Sequence, residues 1–145
     1  MADLTRARRW SFRLAADFGH RDITPEVGAL VRESGIVTGI VAVQLVGSTG
    51  GITTIEYEPG ALADLRRALA SLAPADGEYA HDARWGDGNG FSHLRSAMLG
   101  TGLSLPVVDG EPALGTWQQI VVINFDNRPR TREVVAVVSG SARGV

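Results

Sequence analysis

From Val37 to Val46 the chain is β-branched and nearly continuous in apolar character, with only Thr38, Gly39 and Gln44 interrupting it. Such a run is too short to cross a membrane as a helix and too apolar to lie on a surface, so it predicts a buried strand. Ile120 to Ile123 makes the same demand further along. Buried strands need layers packed over them, and three amphipathic segments can supply these. Thr24-Pro25 sets an N-cap before a proline at the first helical position, and Val27, Leu30 and Val31 form a stripe that ends at Gly35. Glu58-Pro59 opens a second helix with Leu62, Leu65, Leu69 and Leu72 on one face, and Pro74 stops it. Asn89 caps a third, carrying Leu94, Ala97, Met98 and Leu99 and ending at Gly100.

Further strands are expected at Trp10–Ala16, Ile52–Tyr57, Leu103–Val108, Gly115–Phe125 and Glu133–Val138. Asp109-Gly110 reads as a turn, and Asn127–Pro129 as the hairpin connection between the last two strands. Residues 1–145 contain no repeat or interdomain linker, so the expectation is a single α+β domain with a largely antiparallel sheet and about three helices. Because Ile120–Ile123 is apolar on both faces and a chain of 145 residues has limited interior, that strand is also expected to face another subunit.

Composition removes several function classes. There is no cysteine, hence no disulfide and no thiolate metal site. All 14 basic residues are arginine, which excludes Schiff-base chemistry, a pyridoxal phosphate anchor and the lysine of a P-loop. A net charge of -2, with no basic cluster beyond Arg6, Arg8 and Arg9, argues against a nucleic-acid partner. Neither a membrane span nor an apolar signal core is present, and the expected location is the cytoplasm.

Tyr79 to Leu99 gathers His81, His93, Asp82, Asp87 and three glycines around a helix start. Packing does not ask for that mixture. A glycine-rich loop that carries histidine and aspartate into a helix N-terminus suits a small anion or a metal. His81, His93 and Asp87 are therefore the candidate catalytic residues, and the same three could hold a divalent Mg or Zn weakly, with Asp82 as the alternative carboxylate. The candidate substrate-binding residues are Ser48 and Thr49 in the Gly47–Gly51 turn, Asn89 at the helix start, and Arg95 as the guanidinium for a phosphate. The two glycine-rich segments are expected to converge on one anion. Each residue also has a plainer reading: His81 as a hydrogen-bonded loop histidine, Asp87, Ser48 and Thr49 as turn formers, Arg95 as a solvated helix face. Glu56 and Glu58 fit a solvent-facing strand edge, His20 a local hydrogen bond, and Trp117 packing or a subunit contact.

Four motifs, GSTGGITTIEYEPG at Gly47–Gly60, YAHDARWGDGNGFSHLRSAMLG at Tyr79–Gly100, LPVVDGEPALGTWQQI at Leu105–Ile120 and FDNRPR at Phe125–Arg130, resemble the YjbQ family, also called secondary thiamine-phosphate synthases. The resemblance runs in order from about Trp10 to Gly140. It implies a single α+β domain with β-sandwich-like sheets, a homotrimer, and a weak activity that joins a hydroxymethylpyrimidine pyrophosphate to a thiazole phosphate with release of pyrophosphate. In that reaction Arg95, the Ser48-Thr49 turn, the helix start at Asn89 and a cation on Asp87 would offset the leaving group's charge, while His81 or His93 handles a proton. The alternative is a non-catalytic site for a phosphorylated or carboxylate metabolite. One departure stands out: relatives carry a histidine where this chain has Phe91. The resemblance then implies a weakened metal site that Phe91→His would strengthen, unless position 91 merely packs against the helix start.

Overall fold

In the computed structural model, which describes residues 3–142, strands and helices follow one another as β1 (Asp3–Leu14), β2 (Gly19–Asp22), α1 (Thr24–Ser34), β3 (Ile36–Val46), β4 (Gly50–Ile55), α2 (Pro59–Leu72), α3 (Ala80–Trp85), α4 (Gly90–Leu99), β5 (Gly102–Val108), β6 (Glu111–Pro112), β7 (Gln119–Asn124) and β8 (Arg130–Ala142). They build a five-stranded sheet in the order β1-β8-β3-β5-β6 and a three-stranded sheet in the order β2-β7-β4. Every strand pair is antiparallel, and the α+β class is as the sequence predicts. None of the described helices is long and apolar enough to cross a membrane.

β7 divides the interior. Ile120 and Val122 join Val41, Val43 and Leu45 of β3, Val134, Ala136 and Val138 of β8, and the α1 stripe of Val27, Leu30 and Val31. Val121 and Ile123 face the other way, with Phe125, Phe18 and the α2 residues Leu62 and Leu69. All four residues from Ile120 to Ile123 are fully buried, and each is worth about 1.5–3 kcal/mol of hydrophobic transfer. This strand is therefore covered twice within one chain, which removes the expectation that it faces another subunit.

β3 departs from the sequence reading in the opposite direction. Only alternate residues are buried, while Ile40 is 57% and Val46 48% exposed. The larger sheet packs one face on the interior and leaves its other face bare, so an apolar run here does not mean two covered faces. That outer face also carries Val108, at 54%, and Val137, at 37% exposed.

Several boundaries differ for local reasons. Asn127–Pro129 is not a hairpin connection, because β7 is flanked by β2 and β4 in one sheet and β8 by β1 and β3 in the other. The segment instead carries the chain between sheets. Thr24 is the first helical residue rather than the cap, and its hydroxyl accepts the Ile120 N–H at 2.8 Å. Leu72 ends α2 68% exposed, beyond the reach of the second core. β1 starts at Asp3, well before Trp10, since β8 offers a partner along its full length. Residues 80–85, within the predicted loop, wind into the extra helix α3.

Candidate functional site

α3 and α4 are held against each other by one close approach. Gly90 opens α4 so near Tyr79 that an added Cβ would come 2.6 Å from the tyrosine Cβ. Its N–H donates to Asp82 Oδ1 at 2.8 Å, which ties the carboxylate of α3 to the first turn of α4. His81 thereby faces the new helix. Its Nδ1 lies 3.3 Å from Asp82 Oδ1 and 3.4 Å from Asp87 Oδ1, and its ring centroid is 4.5 Å from that of His93. Asp87 also accepts the Asn89 N–H at 3.2 Å. The structure thus brings His81, His93 and Asp87 together, as the sequence predicts, and adds Asp82. Burial pushes the Asp82 carboxyl up, but the Gly90 N–H, the His81 ring and the Asn89 N–H outweigh it and hold the group below its ordinary range.

The donor set fits a divalent cation. One ligand atom each from His81, Asp82 and Asp87 lies within 4.8 Å of the others, and a mixed imidazole and carboxylate set suits first-row divalent ions. The grouping differs from the expected His81, His93 and Asp87: α3 carries Asp82 beside His81, and the His93 ring lies tilted by 43° against that of His81 without belonging to the group. Position 91 lies elsewhere. Phe91 is 3% exposed with the Arg95 guanidinium 4.8 Å above its ring, and two residues along a helix turn a side chain by about 200° away from His93. A histidine there would point into the packed interior, not at His81.

Ser48 and His93 border one cleft of about 350 Å³, together with Gly47, Ser96 and Thr101. Thr49 and Asn89 do not line the cleft and are 8% and 5% exposed. Both donate to Asp126 Oδ2, Thr49 Oγ1 at 2.9 Å and Asn89 Nδ2 at 3.2 Å, so the two glycine-rich segments converge on a shared carboxylate. Arg130 Nε donates to the same oxygen at 3.0 Å, and the Arg128 N–H donates to Oδ1 at 3.0 Å. Burial raises the Asp126 carboxyl, yet the hydrogen bonds from Thr49, Asn89, Arg128 and Arg130 outweigh it and leave the group below its usual range. Behind Thr49, Arg132 Nη2 donates to Thr49 Oγ1 at 2.6 Å and to Asn124 Oδ1 at 2.7 Å. Burial lowers the Arg132 guanidinium from its ordinary value, partly offset by the charge of Asp126.

Arg95 is a correction. Instead of presenting a guanidinium to the cleft it is 2% exposed, donating from Nε to the Ala73 carbonyl at 2.9 Å and from Nη1 to Asp17 Oδ1 at 3.2 Å. It fastens α4 to the end of α2, because the α4 face bearing Phe91 and Arg95 is the one turned inward. Glu58 caps α2 through the Gly60 and Ala61 N–H groups, which hold its carboxyl low. His20 bonds Tyr57 at 2.9 Å as expected, and Trp117 is 74% exposed, packed on neither core. Sequence reasoning missed Asp126, Arg130 and Arg132. Their signal lay in FDNRPRTR at residues 125–132, where an acid is followed four and six residues later by arginines.

A family model described as UPF0047 protein YjbQ-like matches residues 8–141. A UPF0047 protein of Methanothermobacter thermautotrophicus is 39% identical over 119 residues, 82% of this chain and 81% of that protein. Among solved structures, a YbjQ-like protein of unknown function from Sulfolobus solfataricus superimposes with a TM-score of 0.91 at 26% identity, covering 97% of this chain and 100% of that one. An uncharacterized conserved protein of the same family from Clostridium acetobutylicum gives 0.82 at 30% identity, covering 90% and 98%.

Proposed function

This chain belongs to the UPF0047 family of YjbQ-like proteins, and from that premise we propose that the cleft between the Gly47–Gly51 turn and α4 binds a small phosphorylated metabolite and turns it over as a thiamine-phosphate synthase. The observation that carries this reading is the pairing of His81 and His93 at 4.5 Å, with His93 reaching into a cleft that Ser48 also lines. An imidazole pair beside two carboxylates is suited to moving a proton at a reacting centre. The leaving pyrophosphate needs positive charge and hydrogen-bond donors, which the Ser48 turn would provide in part. A divalent cation held by His81, Asp82 and Asp87 would supply further positive charge there.

A second reading, binding without turnover, is favoured by Arg95: the guanidinium assigned to the leaving group is committed to Ala73 and Asp17 instead. Assaying the purified protein with hydroxymethylpyrimidine pyrophosphate and thiazole phosphate, with and without Mg²⁺, tests both readings. Product that disappears in His93→Ala supports the synthase, whereas binding of either phosphate ester with no product supports the second reading. We further propose a cytoplasmic homotrimer assembled through the bare outer face of the larger sheet.

A further inference from the structure

Arg132 is a buried cation whose counter-charge is incomplete. The residue is 6% exposed, and its Nε and Nη2 donate only to the neutral oxygens of Asn124 and Thr49. The carboxylate of Asp126 is reached through the Thr49 hydroxyl and is already bonded by Arg130 at 3.0 Å. The Arg130 side chain is 41% exposed and served by water, but Arg132 is buried with no carboxylate bonded directly to it, which is costly out of water. The remaining nitrogen, Nη1, has no protein hydrogen bond among the described residues and lies beside Gly47, where an added Cβ would come within 2.8 Å of it. Gly47 has φ 140°, a conformation that side-chain-bearing residues rarely adopt, so the turn is kept open over the arginine. The N–H groups of Ser48 and Thr49 also lack protein acceptors among the described residues.

We propose that Arg132 Nη1 and the Gly47–Ser48 turn together hold a phosphoryl group, so that the metabolite's phosphate completes the charge balance of the Asp126, Arg130 and Arg132 network. Three phosphoryl oxygens match the available donors: the guanidinium N–H groups, the Ser48 hydroxyl and the free turn N–H groups. This assignment rests on the reading of the Gly47–Gly51 turn as part of the ligand cleft. It places the anion's cation on β8 rather than on α4, where the sequence had put it.

Calorimetric titration with inorganic phosphate, with acetate as the comparison and a chelator present to silence the His81 cluster, tests the assignment at constant ionic strength. Wild type should bind phosphate in preference to acetate, and Arg132→Gln should weaken phosphate binding by about ten-fold or more. Equal phosphate affinity in the two proteins, or no phosphate binding by folded wild type, overturns it. Should Arg132→Gln fail to fold, Ser48→Asp decides instead: a carboxylate on the turn should raise the melting temperature and abolish the phosphate response, and an unchanged response overturns the assignment. Phosphate binding through Arg132 in a protein that makes no thiamine phosphate would sink the synthase and leave this site standing.

Discussion

Thr49 donates to Asp126 at 2.9 Å while accepting from Arg132 at 2.6 Å, so one buried hydroxyl joins a glycine-rich turn to a carboxylate 77 residues further along the chain. Thr49→Val keeps the shape and removes both bonds. It leaves Asp126 short of a donor and Arg132 short of an acceptor, and chemical denaturation should show a loss of about 1–3 kcal/mol. Thr49→Ser should restore most of it.

Asp126 makes stability depend on acid. Its folded pKa lies below the unfolded value, so its contribution is complete above the ordinary carboxylate pKa of about 4 and is lost as pH falls through that value toward the lower folded one. Denaturation midpoints should therefore decline below about pH 4 in wild type, and less steeply in Asp126→Asn. Parallel declines would exclude Asp126 as a source.

Arg95→Ala should destabilise by about 2–4 kcal/mol, because the Ala73 carbonyl loses its donor and Phe91 its cation. Arg95→Lys should not rescue it, since one ammonium cannot serve both Ala73 and Asp17. Phosphate affinity of folded protein should be unchanged in either variant. A specific fall in affinity would return Arg95 to the site.

For Phe91→His the expectation reverses the one drawn from the sequence. Position 91 is packed inward, so elemental analysis after dialysis against zinc should give equal metal content in wild type and variant, with a stability loss of about 1–3 kcal/mol from the buried polar ring. His81→Ala should lower whatever metal is retained. A gain of metal in Phe91→His would mean that the first turn of α4 rotates when metal binds.

Light scattering should give a mass near three times the 15.4 kDa of the chain. Ile40→Glu and Val137→Glu sit on the exposed outer sheet face and should each release monomers without unfolding the chain. A wild-type mass near that of one chain at low micromolar concentration would remove the trimer.

Much of the fold was legible because it rests on periodicity: α1 ends at Gly35 and α2 starts at Pro59, both where stop and start residues stand. Periodicity fails where a neighbour decides the outcome. Ile120–Ile123 and Val37–Val46 read alike as sequences, yet the first lies between two cores and the second has one bare face. The candidate site divides the same way. His81, Asp87 and His93 cluster as their shared loop suggests, since little chain separates them. Arg95 was misplaced and Arg132 overlooked because helix rotation and sheet position, which no local pattern encodes, set which guanidinium lies against the Gly47 turn.

β8 is inserted between β1 and β3, pairing with β1 from Asp3–Ser141 to Leu14–Arg130 and with β3 along most of its length. Every other strand precedes it in the chain. During synthesis, then, β1 and β3 emerge as two unpaired edges with a gap between them, and neither can be satisfied until residues beyond 130 leave the ribosome. Contacts so distant in sequence make folding slow and late. Until then the nascent chain exposes two strand edges to aggregation. A chain stalled before Arg130 should therefore depend on chaperones, although it already contains nearly all the residues of the candidate site.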